Sequence, residues 1–298
     1  MRAGRMTSSF SVLLVALIAL LQPACGGPAF VGQVDEVAHS VGDALASLDE
    51  MLVISGAALN SPGLFHSDHG EEEMDLTGPE RLSCLQTTPL TSVSCSSGVR
   101  TWNLNGECSS GLRTALTGSV TFRYSANDCA MGTIGQWVAR QPSYLQTGKK
   151  MGELLASSSA QGQVLTKTTA GYDFVIQDLE RLFYWPDNEG NFPMTVTTPS
   201  TWAITGGQDR STRVVTSGSL RLVEHRLGWT ANVSITTPLV FSATCNCAVS
   251  GVLKGAITGE EEDDQLEVEI QSCGVALIRE HGMHSIQVKL DRCAPVNW

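Results

Sequence analysis

The stretch QLEVEIQSCGVALIREHGMHSIQVKL, residues 265–290, decides the fold. Leu266, Val268 and Ile270 alternate with Glu267 and Glu269. That two-residue period marks a strand with one buried and one wet face. After Cys273 and Gly274 the pattern resumes at Val275 and Leu277. After HGMH it resumes again at Ile286, Val288 and Leu290. Three short strands joined by tight turns make an antiparallel meander. Hairpin register follows loop length, so a three-residue turn at Gly282–His284 predicts Cys273 opposite Cys293 and a disulfide between them.

The same period runs upstream. GSVTFRYS (118–125), GYDFVIQD (171–178), FPMTVTTP (192–199), GSLRLVEH (218–225) and WTANVSI (229–235) alternate or are rich in β-branched and aromatic residues. Gly, Pro and Asn punctuate them. With no helical patterns between, such strands form an antiparallel sheet. A sheet of about ten strands curls or splits into two layers. The expected body is therefore mainly β: a large antiparallel sheet over 98–298, curled as an open or closed barrel or folded as a sandwich. Within it TWNLNGECSSGLRTALTGSVTF (101–122) aligns without gaps to TWAITGGQDRSTRVVTSGSLRL (201–222), an echo consistent with internal duplication.

Ahead of the sheet the period is helical. Phe30, Val34, Val37, Val41, Ala44, Leu48 and Met51 recur in steps of three and four, which predicts one amphipathic helix over 29–55. Pro28 stands at its start, where a missing amide hydrogen costs nothing. Asp35, Glu36, Asp43, Asp49 and Glu50 fall between the apolar positions and make an acidic polar face. A helix lying on lipid is normally rich in Lys and Arg on that side. The expectation is that Val34, Val37, Val41 and Leu48 dock on the sheet. Residues 56–97 are rich in turns and charge, and read as an irregular segment stapled by Cys84 and Cys95.

The N-terminus has a different logic. Arg2 and Arg5 precede an apolar run from Phe10 to Leu21, which is too short to span a bilayer. LLQPACGG (20–27) follows, with Cys25 between Ala24 and Gly26. This layout resembles a bacterial lipoprotein signal, with the resemblance confined to residues 1–27. It implies removal of 1–24, a diacylglycerol on Cys25, and a tether over 25–28. Gly26, where that family uses aspartate for retention in the inner membrane, implies an outer-membrane address.

Nine cysteines fit this scheme: Cys25 takes the lipid and eight remain for disulfides. None forms a C-x-x-C pair, so zinc-ribbon and thioredoxin spacings are missing. Cys245 and Cys247 are expected to bond partners elsewhere. The net charge of −11 becomes more negative once Arg2 and Arg5 leave with the signal. Such a chain is not expected to bind nucleic acid, which needs basic residues against phosphate.

The sequence contains no G-x-S-x-G elbow, no H-E-x-x-H and no phosphate loop, so no catalytic residue and no cofactor is assigned and an enzyme is not expected. His66 and His69, and His281 and His284, share the H-x-x-H spacing, and GEEEMD (70–75) and GEEEDDQ (259–265) are acidic. All sit in predicted turns and read as solvated loops, so no metal is assigned. The six tryptophans read as core or rim residues. The functional expectation is a lipid-anchored envelope protein acting as a non-catalytic structural or interaction module, with membrane and an envelope protein as partners. The alternative is a carrier holding an apolar ligand or lipid in the curled sheet under the helix. In layout this resembles the half-barrel carriers of the periplasm.

Overall fold

The computed structural model describes residues 28–55, 94–107, 115–147, 152–156, 161–185, 190–207, 209–226, 228–259, 264–280, 284–290, 293 and 295. The fold is mainly β: among the described residues there is one α-helix, α1 (Pro28–Ser55), and one antiparallel sheet of sixteen strands. The sheet begins with β1 (Val99–Glu107), β2 (Ala115–Tyr124) and β3 (Trp137–Thr147). Then come β4 (Gly152–Ala156), β5 (Gln163–Lys167), β6 (Gly171–Ile176), β7 (Leu179–Trp185), β8 (Gly190–Thr197), β9 (Trp202–Thr205), β10 (Val214–Ser217) and β11 (Ser219–Glu224). It ends with β12 (Thr230–Phe241), β13 (Ala248–Thr258), β14 (Asp264–Ser272), β15 (Val275–Glu280) and β16 (His284–Lys289).

The pairings reduce this to a meander. β4 and β5 both pair with β3, at Tyr144–Thr147 and Trp137–Ala139 respectively, and so lie end to end along it. β7 and β6 continue the next row, against β4 and β5. β8 and β9 make the row after that. β11 and β10 then share one edge of β12, while β13 takes its other edge. Each row follows its neighbour in sequence, as short turns dictate. The sheet is open: among the described residues β1 pairs only with β2, and β16 only with β15.

The broken rows share a crease. At Gly218 the register against β12 slips by one residue, from Val214↔Val240 to Ser219↔Ser234. Gly218 has φ +141, and a Cβ there would lie 2.2 Å from Trp202 Cδ1, so only glycine lets the two rows approach. Backbone hydrogen bonds carry across the break, from Ile235 N to Gly218 O and from Thr198 N to Ile176 O. Slips of this kind bend strands and raise twist, which turns a broad sheet into a trough. Its inner wall holds Phe122, Val138, Leu165, Phe174, Val196, Leu222, Leu253, Val268 and Ile278, all buried.

α1 from Val34 onward belongs to the same compact unit as the sheet. The predicted docking residues Val34, Val37, Val41 and Leu48 are buried. The acidic side is not the wet side that its composition suggested: Glu36, Asp43 and Asp49 are buried too, at 6%, 0% and 1% exposure. Ala38, Gly42, Ala44, Ala46 and Ser47 are buried as well, so burial extends beyond the apolar stripe. Among the described residues no helix is long and apolar enough to cross a membrane.

Two readings of the final hairpins are corrected. β15 presents Ala276 and Ile278 to the core, opposite Ile270 and Val268, and leaves Val275 and Leu277 on the other face. The β14–β15 turn sets that face. The predicted Cys273–Cys293 disulfide is absent: Cys273 bonds Cys245, and Cys293 bonds Cys247. β15 runs through Glu280, which faces His284, so Val275 faces Lys289, two residues short of the register a Cys273–Cys293 pair needs. Cys245 and Cys247 do bond partners elsewhere, from the β12–β13 turn rather than from a strand. Cys95 bonds Cys129. Cys25, Cys84 and Cys108 lie outside the described residues.

The two echo segments both build hairpins, on different registers. Trp102 faces Val120 in the first, whereas Ala203 faces Ser217 in the second. Gly118 lies inside the unbroken β2, while Gly218 sits at the crease.

Candidate functional site

The residues brought together with the greatest chemical consequence line the trough under α1. A 3-10 turn (Arg210–Thr212) links β9 to β10, and Asp209 caps it by accepting from Ser211 N. That turn aims Arg210 inward, and Arg213 follows just ahead of β10. Arg210 grips the Asp49 carboxylate with two hydrogen bonds, Nε to Oδ1 and Nη2 to Oδ2, each 2.7 Å. Arg213 Nη1 donates to the same Oδ1 at 2.5 Å. Its Nε donates to Gly207 O, and its guanidinium carbon lies 5.1 Å from the centre of the Phe241 ring. Burial pulls the Arg213 pKa down, and Asp49 opposes that. The fork-to-carboxylate geometry is the strong form of an ion pair.

The other end of α1 is held by a different pair. Trp229 Nε1, just ahead of β12, donates to Glu36 Oε2 at 3.1 Å. Between the two clasps Ser40 Oγ donates to Met194 Sδ on β8. Cys293 Sγ lies 3.7 Å from Gly42 O, so the C-terminal cystine also bears on the helix. From Val34 onward α1 is thus held against the sheet by polar contacts at Glu36 and at Asp49.

A second polar group sits on the same inner face nearer β1. Arg100 on β1 and Arg140 on β3 both face Phe122 of β2. Arg140 Nε donates to Gln163 Oε1 at 2.6 Å. Arg100 lies over the Tyr124 ring, 5.9 Å from its centre. Burial raises the Tyr124 pKa, with Arg100 acting in the opposite sense, so the phenol stays neutral at physiological pH.

The predicted site residues fall out as follows. His66, His69, His281 and the run 70–75 lie outside the described residues, as does 260–263 of the second acidic run. Among the described residues no group of three His, Cys, Asp or Glu could hold a metal ion. Trp202 and Trp229 are fully buried, Trp202 with its Nε1 on Ser219 O and its ring edge-on to Phe174. Neither clasp was read from the sequence. One signal was available: α1 contains no Lys or Arg anywhere. Acids on such a helix have no Lys or Arg on their own element, so a buried helix must find those cations elsewhere in the chain.

No protein-family model, no curated protein and no solved structure matches this chain.

Proposed function

We propose that this chain is a lipid-anchored envelope protein whose body is a non-catalytic structural or interaction module. The observation that carries the reading is the seating of α1: Asp49 is held by Arg210 and Arg213 on the concave face that a carrier would keep for cargo. A helix clasped by buried charge is part of the framework. The anchor rests on the LLQPACGG context and the odd cysteine count. With Cys25 lipidated, only Gly26 and Gly27 separate the lipid from the start of α1 in the chain.

The test has two arms. Cys25→Ser, followed by cell fractionation, is expected to move the protein from the membrane pellet to the soluble fraction. A variant still pelleted and processed at the same place overturns the anchor. Native mass spectrometry of protein drawn gently from its own cells is expected to give the mass of the lipidated chain alone. A stoichiometric co-purifying lipid overturns the scaffold reading in favour of a carrier.

A further inference from the structure

Beyond β16 the chain is placed at Leu290, Cys293 and Pro295, and it forms an arm across the end of the sheet. Leu290 N donates to Gly274 O in the β14–β15 turn at 2.9 Å. A Cβ on Gly274 would lie 2.4 Å from Cys293 O, so the arm crosses that turn in direct contact. Pro295 makes a single antiparallel bridge with Cys245. The covalent tie is Cys247–Cys293, and it joins two unlike sulfurs. Cys247, in the β12–β13 turn, is 0% exposed, while Cys293 is partly exposed. Cys293 Sγ is also the atom that lies 3.7 Å from Gly42 O of α1. A cystine sulfur carries no proton, so this is packing and not a hydrogen bond. Gly42 has no side chain, which leaves the helix backbone bare where the sulfur meets it. One bond thus joins the arm, the β12–β13 turn and the middle of the helix, between the clasps at Glu36 and Asp49.

We propose that the Cys247–Cys293 cystine is a redox latch on α1: a dithiol reductant that opens it at Cys293 frees the C-terminal arm and loosens the helix at Gly42, while the clasps at Glu36 and Asp49 still hold. Opening is a two-step exchange. A thiolate of the reductant attacks Cys293 Sγ, and Cys247 leaves as a thiolate and takes up a proton. Attack on Cys247 itself is barred by its full burial. The reductant's second thiol then attacks its own sulfur in the mixed disulfide and releases Cys293 as a thiol. Two electrons and two protons pass to the protein, and the dithiol becomes a cystine. With the bond cut, the arm keeps a few backbone hydrogen bonds beside β16, which among the described residues pairs with β15 alone. The exported reading supplies the setting, since cystines persist in oxidising compartments. The latch itself stands without the lipid anchor.

Hydrogen exchange of the full mature chain, read by mass spectrometry during limited reduction with dithiothreitol, tests it. Alkylation of the freed thiols and peptide mapping identify which cystines have opened. Alkylation is expected at Cys247 and Cys293 under native conditions. In that species the amides around Gly42 should exchange about tenfold faster or more, because local opening costs less once a covalent loop closure is gone. Amides of β2 and β3 should not change. The double variant Cys247→Ala/Cys293→Ala is expected to show the same α1 exchange without reductant. Cys95→Ala/Cys129→Ala is expected to leave α1 as in the wild type, because that cystine joins the segment ahead of β1 to the β2–β3 turn. If the first double variant fails to fold, the partly reduced wild type gives the same reading. A Cys247–Cys293 bond that resists dithiothreitol until the whole chain unfolds overturns the proposal. So does unchanged exchange around Gly42 in the opened species, acceleration equal across α1 and the sheet, or an α1 loosened equally by Cys95→Ala/Cys129→Ala.

Discussion

Two ion clusters in this molecule use the same chemistry on opposite faces of one sheet. Inside, Asp49 meets Arg210 and Arg213 with the three side chains 1%, 6% and 0% exposed. Outside, Glu267 on β14 bridges Lys254 on β13 and Arg279 on β15, and Arg279 also reaches Glu269, with the side chains 23% to 55% exposed. The outer ladder is wet. Its charges were already solvated in the unfolded chain, so pairing them gains little and salt screens it. The inner cluster has given up water on both sides. Its pairing mostly offsets that loss, and its value lies in the heavy cost of any other arrangement. The outer ladder decorates a register already set by alternating apolar residues. The inner one fixes where along the trough α1 can sit.

Breaking the inner cluster gives the largest expected effect. Asp49→Ala removes the carboxylate that both buried guanidiniums share, and a loss of about 3–5 kcal/mol is expected in chemical denaturation. Raising salt should leave that difference nearly intact. A loss under about 1 kcal/mol would mean that the cluster is as wet as the ladder.

A carboxyl pair between these extremes sharpens the comparison. Glu280 on β15 is pushed up to about 7 by partial burial first and by its hydrogen bond to Asp264 second. Its folded pKa is raised, so its stabilising proton is fully in place below about 4.5 and is lost as pH rises through about 7. The wild type should therefore lose stability between pH 5 and 8 at this site. The expected change is about 1 kcal/mol after solvent screening. Glu280→Gln should flatten that slope in a pH series of unfolding curves.

The smallest effect belongs to the ladder itself. Glu267 is held below the usual carboxylate range, first by its hydrogen bond from Lys254 and then by that from Arg279, with partial burial opposing. Its contribution is present at neutral pH and lost as pH falls through that lowered value. Glu267→Gln is expected to cost about 0.5 kcal/mol at low salt and to become neutral at high salt. A cost that ignores salt would place the ladder with the inner cluster.

The legible and illegible parts of the fold divide along the same line. The period-two runs around Leu266–Ile270 and Tyr172–Ile176 announced the sheet, because alternation is a local consequence of having one wet face. The helix was legible for the same reason, through Val34, Val37, Val41 and Leu48. The destination of its acids was not. Asp49 finds Arg210 and Glu36 finds Trp229 across long stretches of chain, and no local period encodes such a meeting. The disulfides failed on a smaller scale. A hairpin turn displaced by one residue moves the register by two, enough to separate Cys273 from Cys293. The polar group near β1 left no trace in the sequence, since Arg140 and Gln163 share no spacing and meet only because β3 and β5 lie side by side.

The clasps on α1 also set an order of assembly in time. The helix precedes the sheet in the chain, yet its partners come 161 residues later for Arg210, 164 for Arg213 and 193 for Trp229. Every row of the sheet can pair with the row made just before it, so the meander can zip up as it emerges. α1 cannot join until most of that zipper is closed. During the interval its valines stay exposed and Asp49 stays hydrated. A chain stopped before Trp229 already carries both arginines for Asp49 but lacks the indole that holds Glu36.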